Sequence, residues 1–244
     1  MENYELFSKK YDDYRVADMR LVEEVIDKLK ITEIMNILDF GCGTGNYLKA
    51  LQLKNYQNLF GLDPSENMRK IALEKTGLII KEGSHLNIPY EDNFFDAVIL
   101  INSIHFVDDI KALFYNLQRV CKKDALVFIA TQSRKLMKSR CYNKYFPSLL
   151  EIDYKRYHEI DKIISTAEQS EFSLFVNQDF LNDTDMSVYE EYFNLIKNKA
   201  FSIFELLPND EFDKGISQFE KDMKDGSFIA KFVGWTTIVL QKNI

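Results

Sequence analysis

The sequence predicts an α/β protein built on a doubly wound, mostly parallel sheet, and three observations carry that expectation. The first is Ile34 to Asn46, where an apolar run (Ile34, Met35, Ile37, Leu38, Phe40) stops at three alternating glycines (Gly41, Gly43, Gly45) and a helical pattern (Tyr47, Leu48, Ala50, Leu51) begins. That order reads as buried strand, tight turn and helix. The second is repetition: apolar strands alternate with amphipathic helices as far as Thr131, the pattern that yields parallel strands joined by crossovers. The third is bulk, since 244 residues of which 46% are apolar can bury the core of one such domain.

The elements follow in chain order. Residues 1–30 read as helical, because Leu21, Val22, Val25, Ile26 and Leu29 share one face. Ahead of that face Tyr4, Phe7, Tyr11, Tyr14 and Arg15 form an aromatic cluster with one guanidinium, either glue for the helix or a lid over a ligand. After the glycine turn comes the strand Leu59-Phe60-Gly61-Leu62, ending in Asp63-Pro64, with a helix from Pro64 or Ser65. Leu78-Ile79-Ile80 is the third strand and runs into Gly83-Ser84-His85; Phe94 to Ile101 is the fourth. Asp108 and Asp109 open a helix whose face is Leu113, Leu117 and Val120, and Ala125 to Thr131 is the fifth strand. Residues 132–170 carry a basic run (Arg134, Lys135, Lys138, Arg140) and then Tyr142, Tyr145, Phe146, Tyr154 and Tyr157, with no linker composition, and read as a helical insertion. Ser173 to Asp179 is a sixth strand, Met186 to Phe204 one long amphipathic helix ended by Leu207-Pro208, and Phe228 to Leu240 a last strand, expected to pair with the sixth as a hairpin.

Composition narrows the function. A net charge of −7 opposes sequence-independent affinity for nucleic acid. No run of 18 apolar residues occurs, and the charged start MENYELFSKKYDDYR is no signal peptide, so a cytoplasmic location is expected. Cys42, Cys121 and Cys141 lack CxxC spacing, and His85, His105 and His158 are scattered, so reduced thiols and no metal site are expected. Three glycines let the backbone approach a ligand at the start of a helix. Asp63, at the end of the second strand, is placed to accept hydrogen bonds from ribose hydroxyls, or merely caps the helix after it.

Taken as a set, Leu38-Asp39-Phe40-Gly41-Cys42-Gly43-Thr44-Gly45, Gly61-Leu62-Asp63-Pro64-Ser65, Phe94-Phe95-Asp96-Ala97-Val98 with Ile104-His105-Phe106-Val107, and Leu117 to Lys122 resemble a class I S-adenosylmethionine-dependent methyltransferase of the ubiquinone/menaquinone-methyltransferase-like superfamily. The likeness runs from about residue 34 to 130, and the glycine spacing is not the GxGxxG of a dehydrogenase turn. It implies a Rossmann-like, doubly wound seven-stranded sheet with an antiparallel last strand and a helical insertion. Residues 1–244 are then one methyltransferase domain, with 1–30 a helical lid and 132–170 an insertion near the acceptor site.

The resemblance also implies roles. Backbone at Gly41, Cys42 and Gly43 would lie along the methionine moiety of S-adenosylmethionine, Asp39 would help hold its amino group, and Asp63 with Pro64 and Met68 would flank the ribose. Ser84, His85, Leu86 and Leu100 complete the expected cofactor residues; Ser84 stands where relatives usually have Asp, which removes charge assistance from the adenine-amine contact. Tyr11-Asp12-Asp13-Tyr14-Arg15 resembles a YDxxR lid in which Tyr11 and Arg15 approach the cofactor's carboxylate. An oxygen or nitrogen nucleophile calls for a base, and His105 is the candidate, against a reading in which it only packs or orients its loop. Tyr14, Tyr142, Tyr145 and Trp235 are candidate acceptor contacts, or, for the insertion's tyrosines, simply core. The expected enzyme is a monomer or homodimer that methylates a small molecule, without nucleic acid or membrane as partner. The rivals are a tRNA methyltransferase and a non-catalytic S-adenosylmethionine-binding protein.

Overall fold

In the computed structural model, β1 (Ile37–Phe40) is buried along its whole length and has a parallel neighbour on each side. The description covers residues 16–180, 193–199, 201–228 and 234–243. On one side of β1 lies β2 (Leu59–Asp63), followed by β3 (Ile79–Glu82) at the sheet edge, where Ile79 is 56% exposed. On the other side lie β4 (Phe95–Ile101) and β5 (Cys121–Thr131), also parallel. The full order is β3-β2-β1-β4-β5-β7-β6, with β6 (Phe172–Phe180) and β7 (Trp235–Lys242). Thr237 Oγ1 donates to Gln178 O and Asn243 N to Glu171 O, so β7 runs antiparallel to β6. β7 lies between β5 and β6 and is far from β6 in sequence, so their pairing is no local hairpin.

Several of the helices start where a short polar side chain caps them. Asp18 caps α1 (Met19–Leu29), which buries Leu21, Val22, Val25 and Leu29. α2 (Asn46–Leu53) follows Gly45, and Ser65 caps α3 (Glu66–Thr76) by accepting from Met68 N. Asp109 caps α4 (Ile110–Val120) through the N–H groups of Lys111 and Ala112. Beyond the fifth strand come α5 (Arg134–Lys138), α6 (Leu149–Arg156), α7 (Ile160–Glu168) and α8 (Asn209–Lys224).

The described residues fall into two compact units, one drawn from 1–131, 160–178 and 237–244, the other from 132–159 and 179–236. In the first, sheet residues such as Leu38, Val98, Leu100, Val127 and Ile129 share a core with Phe114 and Leu117 of α4 and Ile163 and Ala167 of α7. The second has an aromatic core in which Tyr145 stacks on Phe219 with centroids 4.5 Å apart and Phe146 packs on Phe204 and Phe212. Its buried charge is matched: the Arg140 guanidinium pairs with Asp153 and donates to Gln132 Oε1 at 3.0 Å.

Two expectations in this region need correction. The long helix over 186–204 does not form as one piece: its first residues lie outside the described set, 193–197 are helical, Lys199 has φ +50°, and a separate 3-10 turn occupies Ser202–Leu206. Both pieces bury apolar side chains (Phe193, Ile196, Ile203, Phe204), and periodicity alone fused them. Conversely, α8 went unread because its apolar stripe (Phe212, Ile216, Phe219, Met223) is thin, heavily charged around, and interrupted by Gly215. That glycine is required by packing: a Cβ there would meet Phe146 Cε1 at 2.4 Å.

Candidate cofactor site

At the carboxyl end of β1 the chain turns through Gly41 (φ +74°), Gly43 (φ +54°) and Gly45 (φ +78°), each in a conformation that side chains rarely adopt. The three have different surroundings. A Cβ on Gly41 would collide with Ser103 Cβ at 2.6 Å, and one on Gly45 would press on Ala72 and Thr76 of α3 at 3.2 Å. A Cβ on Gly43 would meet nothing within 4 Å among the described residues. Among the described residues the middle of the turn is therefore uncovered on its Cβ side.

Asp63 fixes the turn to the end of β2. One carboxylate oxygen accepts from Gly43 N at 2.9 Å and the other from Ser65 N at 2.8 Å, so the group holds the loop and opens α3 at once. It is 8% exposed; burial raises its pKa, which the Ser65 and Gly43 N–H groups and Arg69 partly offset. Arg69 donates to Asp63 O and Pro64 O and pairs with Glu82 at 2.9 Å, bracing the same corner from β3. Asp39 lies 2% exposed at the end of β1, and burial, then the charge of Asp63, pushes its carboxyl up to about 8. A buried acid of this kind suits a cation better than solvent. The Cys42 thiol, between the two acids, is raised well above its ordinary value by burial first. It is no nucleophile in that state.

Across from the turn, β4 is followed by Asn102, a non-glycine residue at φ +53°, then Ser103, then a short 3-10 turn at Ile104–Phe106. His105 sits half-buried in that turn with its ring 4.0 Å from the Phe106 ring.

A model of the family described as a methyltransferase domain matches residues 38–129. A demethylmenaquinone methyltransferase of Staphylococcus aureus is 26% identical over 203 residues, 73% of this chain and 83% of that protein. An uncharacterised protein of Methanocaldococcus jannaschii is 34% identical over 131 residues, 53% of this chain, and the chain spans half of its length. Among solved structures, one from Anabaena variabilis, provisionally described as a methyltransferase from an antibiotic biosynthesis pathway, has a TM-score of 0.81 at 24% identity and covers 94% of this chain and 99% of its own, a likeness of fold. Residues 38–129 form a methyltransferase domain, and the fold around them is that of the class I S-adenosylmethionine-dependent methyltransferases.

The cofactor of this methyltransferase family is S-adenosylmethionine, and the site fits it on three counts: the open face of Gly43, the buried acid at β1 and the carboxylate at β2. Around these the methyltransferase places its other expected residues unevenly. Pro64 is exposed, while Met68, on the first turn of α3, is 4% exposed. Ser84 is half-buried and turned inward on its own loop: its Oγ accepts from Leu86 N at 3.2 Å, and its backbone exchanges hydrogen bonds with Asn87. His85 Nε2 comes within 2.7 Å of Asp108 Oδ1 without hydrogen-bond direction, and Asn116 Nδ2 donates to His85 O. The Leu86 side chain is 66% exposed. Leu100 has no exposed surface and packs in the sheet core, so β4 offers the residues after it at its carboxyl end. Tyr11, Tyr14 and Arg15 lie outside the described residues.

In the second unit, Tyr142 and Tyr145 are buried among its aromatics, with Tyr145 Oη donating to Asp222 at 2.8 Å, and Trp235 is half-buried at the start of β7. Sequence reasoning missed Asn102, Ser103 and Arg69. The first two lacked any signal beyond being polar at a strand end, and Arg69 reads as one more helix cation.

Proposed function

We propose that this methyltransferase moves a methyl group from S-adenosylmethionine to a small-molecule acceptor in the cytoplasm. When bound, the cofactor supplies a sulfonium-activated methyl group whose transfer is an in-line displacement, so the protein's work is alignment and exclusion of water. Asp63 would take the ribose hydroxyls on lone pairs that its two backbone donors leave open, and Asp39 would meet the ammonium of the methionine end. Ser84, His85 and Leu86 would border the adenine, with Tyr11 and Arg15 closing over the carboxylate. His105, one turn beyond β4, would orient the acceptor or take its proton.

The observation that carries the reading is the latch between Gly43 N and Asp63, which holds an open, side-chain-free turn beside a carboxylate. The small-molecule acceptor is supported by the staphylococcal relatives, named as demethylmenaquinone methyltransferases at 25–28% identity. It is supported too by the basic run, in which Arg134 pairs with Glu159, Lys135 with Asp179 and Arg140 with Asp153, so those cations already have carboxylate partners. Tyr14, Tyr142, Tyr145 and Trp235 are the residues to substitute for acceptor selectivity.

Purified protein should bind S-adenosylhomocysteine in a calorimeter. It should also carry radiolabel from the methyl group of S-adenosylmethionine into a demethylated quinone or the metabolite fraction of a cell extract, and not into tRNA. Binding with no transfer to any fraction makes the chain a cofactor sensor, and transfer to tRNA alone overturns the acceptor class.

A further inference from the structure

Ser103 is 6% exposed, and its Oγ has no hydrogen-bond partner among the described residues. A buried hydroxyl without a partner is costly and calls for a reason, whereas alanine would fill the same place without that cost. Its position supplies one. The serine stands against Gly41, so closely that a single methyl group on the glycine would strike its Cβ at 2.6 Å and its Oγ at 3.3 Å. The residue before it, Asn102, holds φ +53°, so the chain at the end of β4 takes a strained course just where the serine is delivered.

The sheet order gives the direction of the ligand. Asp63 ends β2, Asp39 ends β1, and Ser103 follows the end of β4, in the spatial order β2-β1-β4. With a ribose at Asp63, a ligand that runs along the strand ends past Asp39 reaches Ser103 with the group farthest from its base. In S-adenosylmethionine that group is the amino-acid end, a zwitterion whose carboxylate takes a hydroxyl donor and whose ammonium gives to a hydroxyl acceptor.

We propose that Ser103 is a positioning residue of this site, its hydroxyl completing the binding shell of the cofactor's amino-acid end beside Asp39. The proposal rests on the reading of the site given above. The hydroxyl is unpartnered before binding and partnered after it, so it favours the bound state without favouring the fold.

The test is Ser103→Ala, read by calorimetry with two ligands and by thermal melting of the free protein. S-adenosylhomocysteine carries the amino-acid end, and 5′-methylthioadenosine lacks it. Affinity for the first should fall about tenfold, the weight of one hydrogen bond to a charged group, with affinity for the second unchanged. The melting temperature of the ligand-free variant should be equal to or above that of the wild type, since no bond made in the free protein is removed. Equal losses for both ligands, or a lowered melting temperature with ligand affinities intact, would mean that the serine serves packing and overturn the proposal. Unchanged affinity for both ligands overturns it too. A wild-type protein that binds neither ligand instead removes the underlying reading of the site.

Discussion

Gly41→Ala tests the geometry of the turn most directly, because the obstacle is a carbon bonded to the backbone and not the tip of a flexible chain. Two costs are expected. A non-glycine residue at φ +74° adds about 1–2 kcal/mol of local strain, and forcing a methyl group to 2.6 Å from Ser103 Cβ adds about 1–3 kcal/mol as overpacking. Their sum of about 2–5 kcal/mol corresponds to a melting point lowered by roughly 5–15 °C in a chain of this size. The two parts separate with a second substitution. Ser103→Gly removes the struck atom, so in the double variant the overpacking part disappears while the strain remains. Urea denaturation of wild type, both single variants and the double variant should therefore give a coupling of at least about 1 kcal/mol in the direction of rescue. Strict additivity would refute the contact, and a Gly41→Ala protein as stable as wild type would refute both terms.

Other perturbations probe the rest of the site. Asp63→Ala leaves the N–H groups of Gly43 and Ser65 without their acceptor, so stability should fall by about 2–4 kcal/mol and S-adenosylhomocysteine should bind at least tenfold more weakly; unaltered binding in calorimetry would dismiss the ribose assignment. Asp39 makes stability depend on pH: the folded, ligand-free protein keeps a proton up to about 8 that the unfolded chain releases near 3.8, so stability should drop as pH rises across that window. Asp39→Asn should flatten the slope between pH 5 and 8, and an identical slope in the variant would show that the acid does not titrate there. For the same reason, binding of a cationic cofactor beside Asp39 should expel a proton near neutral pH, seen as a dependence of binding heat on the buffer's ionisation enthalpy. His105→Ala should lower turnover while leaving the affinity for S-adenosylhomocysteine within a factor of about two. Full activity in that variant would leave the histidine a packing residue.

The parts of this protein that could be read from its residues share a physical character. β1, the glycine turn and Asp63 are specified by local rules: a buried strand must be apolar, positive φ selects glycine, and a carboxylate at the end of β2 has the two nearest N–H groups to hold. The sheet as far as β5 follows from the alternation of strands and helices, which fixes topology through the handedness of crossovers. The second unit obeys no such rule. Its helices meet through an aromatic core assembled from residues far apart in the chain, Tyr145 against Phe219 and Phe146 against Phe204, and Gly215 sits in a helix because Phe146 leaves no room for a side chain. Nothing in the local pattern announces a contact of that range.

The same distinction explains why Ser103 escaped notice while Gly41, its partner in space, stood out. A glycine in a turn reports on its own backbone, but a buried serine reports only on what surrounds it, and those surroundings come from a different strand. The cofactor end of this molecule is thus a junction of two kinds of information. A turn encoded within a dozen residues of sequence meets a strand end whose significance exists only once β4 has paired beside β1. With the Ser103 hydroxyl on the cofactor's amino-acid end, recognition is shared between the half that the motif spells out and the half that no motif records.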